Sequence, residues 1–190
     1  MTMSDPAPDL CGLVLAAGAG TRFGGPKALA RTPDGSPWIA LAVRTLTDAG
    51  CRRIVVALGA GAAEARPLVP VSAEIVEVRD WADGLSATLR SGLRAAVAGG
   101  ADAVAVVPVD TPVLPAAAVR RVVADARRGS LVQAVYDGEP GHPVLIGADH
   151  VDALAATLSG DRGARAYLAA HGAVEVECAD LWSGADVDTR

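Results

Sequence analysis

At 190 residues, 51% apolar and 21% charged, the chain has the length of one domain with a sizeable core, and too much hydrophobicity for disorder away from its ends. Its formal net charge of −5 and its few aromatics, three Trp, two Tyr and one Phe, exclude a general nucleic-acid binder, which needs a basic surface and stacking rings. The longest uncharged apolar stretch, residues 10–20, is shorter than the roughly 20 residues that span a bilayer, and MTMSDPAPDL lacks the basic cluster and apolar run of a secretory signal, so a cytoplasmic protein without a membrane partner is expected.

Residues 1–9 are expected to form a flexible leader and residues 10–190 a single domain. The apolar run Cys11 to Ala17 suits a strand buried on both faces. It leads into Gly18, Gly20, Gly24 and Gly25. Pro37 opens a helical pattern through Ala49, with Gly50 as its stop. A second buried strand covers Arg52 to Leu58, a short helix follows around Glu64, and a third strand covers Ala73 to Val78. Leu85, Leu89, Leu93 and Val97 recur at helical spacing, which predicts a helix from about Ser86 to Ala98. Ala101 to Val109 reads as a fourth strand stopped by Asp110, and Pro115 begins a helix reaching about Arg128. Leu131 to Tyr136 and His142 to Ile146 read as a hairpin around the turn Asp137 to Gly141. Helices over about Ala148 to Leu158 and Asp161 to His171 precede a last strand, Val174 to Cys178. Strands alternating with helices predict the α/β class, with a mostly parallel sheet covered on both faces and made mixed by the hairpin. Cys11, Cys51 and Cys178 have no CxxC spacing and read as buried free thiols.

In open α/β sheets ligands bind beyond the carboxyl ends of the strands, so the loops there carry the chemistry. The first, Leu15 to Lys27, reads LAAGAGTRFGGPK. Its glycines let backbone N–H groups face an anionic oxygen, and Arg22 and Lys27 add positive charge, which points to phosphate. It is neither a P-loop, since Pro26 precedes Lys27 without a GK[ST] ending, nor a dinucleotide fingerprint, since no acidic residue ends the second strand. Asp110, at the end of the fourth strand, suits a magnesium ligand bridging to substrate phosphates, or alternatively a turn-initiating Asp. Asp186 and Asp188 form a second carboxylate pair. His142 suits a pocket wall better than a lone base or ligand. Trp81 and Trp182 suit ring stacking and half-buried core positions equally. Asp161 reads as a helix N-cap, with Arg162 and Arg165 available to a phosphate.

LAAGAGTRFGGPK, VDTP after a buried strand, DWADGLSATLRSGL, GHPVLI, GDRGAR and DVDT occur in this order. Together they resemble the MobA-like nucleotidyltransferases, and within them the molybdenum cofactor cytidylyltransferases. The resemblance runs from about Leu13 to Thr189. It implies a three-layer α/β/α Rossmann-like fold with a mixed sheet, and transfer of CMP from CTP to the phosphate of molybdopterin or molybdenum cofactor with release of pyrophosphate. It further implies nucleotide binding by Leu15, Ala16, Ala17, Gly18 and Gly20, with Arg22 and Lys27 on the triphosphate. Mg²⁺ would lie on Asp110 and Asp188, the latter fitting better than Asp186, so that Arg22, Lys27 and Asp110 form the catalytic set. Acceptor contacts would come from Ser86, His142, Asp161, Arg162 and Arg165, and a molybdoenzyme or its chaperone is an expected transient partner. Family members reading LAAG are mostly cytidylyl transferases and those reading LAGG mostly guanylyl transferases, which makes Ala17 the discriminating position. The rival readings are transfer to a sugar or alcohol phosphate, and a catalytically silent nucleotide-binding or partner-binding module.

Overall fold

Seven strands form one sheet in the order β3-β2-β1-β4-β6-β5-β7. The computed structural model describes residues 7–188. Of the expected leader only residues 7–9 fall within it, and there Asp9 donates its N–H to Asp102 Oδ2 at 2.9 Å. Thr189, the last residue of DVDT, lies outside the described residues. The elements in chain order are β1 (Leu10–Ala16), α1 (Trp38–Asp48), β2 (Arg53–Leu58), α2 (Ala62–Ala65), β3 (Glu74–Glu77), α3 (Leu85–Ala98) and β4 (Ala103–Pro108). They are followed by α4 (Ala116–Val123), β5 (Leu131–Tyr136), β6 (Glu139–Gly147), α5 (Ala148–Thr157), α6 (Arg165–Ala170) and β7 (Val174–Glu177). The mixed α/β sheet expected from the sequence is present. Strands β1 to β4 run parallel, β6 is antiparallel to both β4 and β5, and β7 runs parallel to β5.

The central strands are apolar along their length because they are covered twice. Val14, Ile54, Val56 and Ala105 face a core shared with α1 and α4, while Leu13, Val55, Val104 and Val106 face one shared with α3 and α5. Connections from β1 lead outward through β2 and β3 on one side, and β4 lies on the other, so the order reverses between β1 and β4. Their register sets Leu15 beside Pro108, and the loops leaving both strands therefore open into one crevice.

Three expected boundaries change. The hairpin turn is Asp137-Gly138 alone, both at positive φ (52° and 82°), the pairing that a two-residue turn of this hand requires. Strand β6 therefore starts at Glu139, not His142; Pro140 in the sequence hides this, because proline is usually excluded from a ladder. Helix α4 ends at Val123, where the N–H of Ala126 tightens onto Val123 O at 3.1 Å. The helix expected from Asp161 begins only at Arg165. Gly160, at φ 56°, and a turn from Arg162 N–H to Ser159 O occupy the preceding stretch, so Asp161 is not an N-cap.

Glu177 at the end of β7 ties the hairpin to the strand. Its carboxylate accepts from the N–H groups of Ala179, Asp137, Gly138 and Cys178 at 2.9 to 3.3 Å. These bonds, that of Ala179 first, hold its pKa below the ordinary glutamate value against the opposing effect of desolvation. A depressed folded pKa means that the stability it confers is complete above the unfolded pKa of about 4.3 and is lost as pH falls through the lower folded value. Replacing Glu177 with Gln should therefore lower Tm at neutral pH and shrink the fall in Tm between about pH 5 and pH 3, as read by thermal denaturation across that range.

Candidate functional site

A cavity of about 810 Å³ opens at the carboxyl ends of β1 and β4. Its first wall is the Gly-rich loop. Gly20 adopts φ 59°, and a Cβ there would overlap the carbonyl oxygen of Gly25. That conformation aims Gly20 O at the N–H groups of Phe23, Gly24 and Gly25, each at 3.0 Å. The loop thus closes on itself in a shape that only glycine allows. Gly18 is exposed to the cavity, and a Cβ on it would meet nothing within 4 Å, which leaves backbone open to an incoming group. Leu15, Ala16, Ala17, Gly18, Gly20, Arg22 and Lys27 all line the cavity.

A single 3-10 turn, Lys27–Leu29, buries Ala28 and turns Lys27 inward. Its ammonium bridges Asp110 Oδ2 at 2.7 Å and Asp188 Oδ1 at 3.0 Å. Burial works against the charged lysine, but the hydrogen bonds to Asp110 and Asp188 outweigh it and leave the pKa above the ordinary lysine value. The same hydrogen bond holds the Asp188 carboxyl below the ordinary aspartate value. Asp186 joins them: one oxygen from each of Asp110, Asp186 and Asp188 lies within 4.8 Å of the others, the one such group among the described residues. The segment after β7 arrives here because the N–H of Val187 donates to Asp110 O at 2.9 Å, so that the residues on either side of Val187 flank Asp110.

These residues fit a hard divalent cation. Three carboxylates converge, and Asp110 Oδ1 is buried without a hydrogen-bond partner, a costly arrangement for an anionic oxygen unless a cation meets it. Asp186 and Asp188 both lie within reach of Asp110.

The far wall comes from Trp81, Ala82, Gly84, Leu85 and Thr88, with Asp161, Pro140, Gly141 and His142 beside them. Trp81 is at the cavity, whereas Trp182 packs edge-on against Tyr136 with ring centroids 5.4 Å apart. Burial holds the His142 imidazole below its ordinary pKa, against the charges of Asp110 and Asp186. Ser86 is not on the cavity wall: it is buried at 2% exposure and its N–H donates to Gly160 O. Thr88, two positions on and so turned to a different side of α3, lines the cavity instead. Arg162 and Arg165 are exposed outside the walls of the cavity. Asp161 does line it, from a turn whose approach to α3 is close enough that a Cβ on Gly84 would lie 2.5 Å from Asp161 Oδ1.

Residues 12–176 match the model of the MobA-like NTP transferase domain. The chain is 34% identical to "Nicotine blue oxidoreductase" of Paenarthrobacter nicotinovorans, over 96% of this chain and 93% of that one. It is 35% identical to "Molybdenum cofactor guanylyltransferase" of Burkholderia ambifaria, over 93% and 90%. Among solved structures, Rv0371c of Mycobacterium tuberculosis superposes with a TM-score of 0.79 at 26% identity, covering 96% of this chain and 94% of that one. A structure of Rv0371c in complex with manganese superposes with a TM-score of 0.70 at 23% identity, covering 90% and 88%. No helix among the described residues is long and apolar enough to cross a membrane.

Proposed function

We propose, from the premise that the chain belongs to the MobA-like NTP transferase domain family and is a nucleotidyltransferase, that it transfers a nucleotidyl group to a phosphate of molybdopterin or molybdenum cofactor. The observation that carries this reading is the convergence of Asp110, Asp186, Asp188 and Lys27 under the open backbone of Gly18. In the reaction an acceptor phosphate oxygen forms a bond to the α-phosphorus of the nucleotide, the bond from that phosphorus to the bridging oxygen breaks, and pyrophosphate leaves. The nucleophile is already anionic near neutral pH, so no general base is required, and His142, whose imidazole burial holds below its ordinary pKa, is assigned to the wall it lines. What remains for the protein is alignment and charge neutralisation. The glycine loop presents N–H groups to the triphosphate, and Arg22 and Lys27 neutralise its oxygens. Asp110, Asp186 and Asp188 hold a divalent cation, read as Mg²⁺, which supplies Lewis-acid charge to the phosphates when bound; the manganese complex of Rv0371c supports a cation in this fold.

Asp161 and the Trp81 face suit the N–H edge and ring of a pterin, while its phosphate belongs nearer Lys27 than the anionic Asp161. Ser86, Arg162 and Arg165 lie outside the cavity walls and are not assigned to the acceptor. Nucleotide choice has two readings. The LAAG loop favours CTP. The names of relatives such as that of Burkholderia ambifaria favour GTP, and Ala17, although it borders the cavity, is only 2% exposed and so offers little surface to narrow the base space.

Pyrophosphate release from each of the four NTPs, with Mg²⁺ and a phosphorylated pterin acceptor, tests the function. Release that requires the acceptor, and that is at least tenfold faster with CTP or GTP than with the others, is the expected result. Equal release with a sugar phosphate would replace the acceptor. The absence of release together with redox turnover of nicotine blue would favour the chemistry for which the Paenarthrobacter relative is named.

A further inference from the structure

The cation cluster is assembled from the end of one strand and one irregular segment. Asp110 follows β4, but Asp186 and Asp188 lie on residues 178–188, which have neither helix nor strand to fix them. A carboxylate pair that wanders by an ångström would bind a cation weakly, so something must seat this strap.

Tyr136, the last residue of β5, has the contacts to do so. Its ring is buried at 6% exposure and stands between two glycines from different segments. A Cβ on Gly141 of β6 would lie 2.8 Å from the ring carbons, and one on Gly184 of the strap 2.5 Å from Cδ2. Gly184 also holds φ 76°, so the strap bends around the ring in a conformation that other residues resist. Trp182 meets the ring edge-on, 5.4 Å between centroids and 88° between planes. On the other side the Tyr136 hydroxyl donates to His142 O at 2.6 Å. One aromatic ring therefore touches two of the segments that bring polar groups to the cavity, β6 with His142 and the strap, and the strap travels only two residues from Gly184 to Asp186. Arg121 pairs with Asp180 near the start of the strap, and Val187 N–H to Asp110 O and Lys27 to Asp188 tie it at the site itself, so Tyr136 meets it in the stretch between those ends.

We propose that Tyr136 is a positioning residue that sets the divalent-cation affinity of Asp110, Asp186 and Asp188 by seating the strap over its ring. This rests on the reading that the cluster holds a cation. The ring, not the hydroxyl, makes the contacts to Trp182 and Gly184, so shape is what must be preserved.

The test is Mn²⁺ titration of the full chain without nucleotide, followed by electron paramagnetic resonance, for wild type, Tyr136→Phe, Tyr136→Leu, Gly184→Ala and the Tyr136→Leu/Gly184→Ala pair. Tyr136→Phe should stay within about twofold of wild type, whereas Tyr136→Leu and Gly184→Ala should each weaken Mn²⁺ binding by roughly tenfold or more. The pair should cost much less than the product of the singles, because the alanine methyl no longer meets a ring. Hydrogen exchange at the Val187 amide, bonded to Asp110 O in the seated strap, should accelerate in Tyr136→Leu and Gly184→Ala but not in Tyr136→Phe. Unchanged Mn²⁺ affinity and unchanged Val187 exchange in folded Gly184→Ala would overturn the proposal. Should Tyr136→Leu fail to fold, Gly184→Ala, whose clash is local, decides alone. Failure of the wild type to bind Mn²⁺ would instead overturn the cation reading, and with it the affinity claim, while Val187 exchange reports separately on the seat.

Discussion

Asp110→Asn should reduce nucleotidyl transfer about a thousandfold, equivalent to ~4 kcal/mol of transition-state stabilisation. The substitution keeps the shape of the side chain and removes one negative charge from a cluster of three. Asp110 contributes the oxygen that lies buried without a hydrogen-bond partner, and it is the one member of the cluster that is mostly shielded, since its side chain is 18% exposed against 52% for Asp188. A charge interaction in that shielded position is screened least, so its loss should exceed that from Asp188→Ala. The fold should survive. Without a cation, three carboxylates repel one another, and the loss of the Lys27 pair is offset by relief of that repulsion, so Tm should be within a few degrees of wild type. The decisive reading is the rise in Tm on adding Mg²⁺ or Mn²⁺, which a cation bound only to the folded state must produce. That rise should vanish in Asp110→Asn. Full turnover of the variant in magnesium would sink the assignment of Asp110 as a ligand.

How much of this was legible in the residues depends on whether a group sits at a strand end or in an irregular segment. Leu15 to Lys27 and Asp110 follow long apolar runs, and the parallel-sheet rule alone brings such positions to one edge, where the structure has them meet. Asp186 and Asp188 could not be ranked in the same way, because in an extended segment two residues separated by one other can both turn to a common site. The register is set by a backbone bond, Val187 N–H to Asp110 O, and no side-chain pattern encodes it. Periodicity found α3 but not which of its positions faces the cavity: Ser86 and Thr88 are both small, buried hydroxyl residues, and of the two Thr88 borders the cavity. Asp161 borders the cavity from a turn and does not cap a helix, since Gly160 and Gly163 break the helix that the downstream apolar residues suggest. Tyr136 carries no signal as a single aromatic at a strand end; its meaning lies in two glycines, Gly141 across the hairpin and Gly184, which is distant in sequence and near only in space.

Lys27→Met should move two quantities in opposite directions. Turnover should fall by about a hundredfold, because a point charge that meets the triphosphate is replaced by a neutral chain of similar length. Binding of free Mn²⁺ or Mg²⁺ in the absence of nucleotide should instead tighten by roughly tenfold. The reason is that the Lys27 ammonium occupies the space between Asp110 and Asp188, 2.7 and 3.0 Å from their oxygens, where an incoming cation must compete with it. Three carboxylates and one ammonium carry a local charge that the substitution makes more negative by one. Most of the effect should come from the Asp110 side, since Lys27 and Asp110 are 16% and 18% exposed while Asp188 is open to solvent screening. Raising ionic strength should shrink the gain without abolishing it. With nucleotide present the order should reverse, because the ammonium then moves its charge to the phosphates and no longer opposes the cation, so that wild type binds the cation–nucleotide pair more tightly than Lys27→Met. Calorimetric titration of Mn²⁺ into both proteins, with and without a non-hydrolysable nucleoside triphosphate, measures all four affinities. Weaker binding of free Mn²⁺ by Lys27→Met would mean that the lysine supports the cation site instead of competing for it.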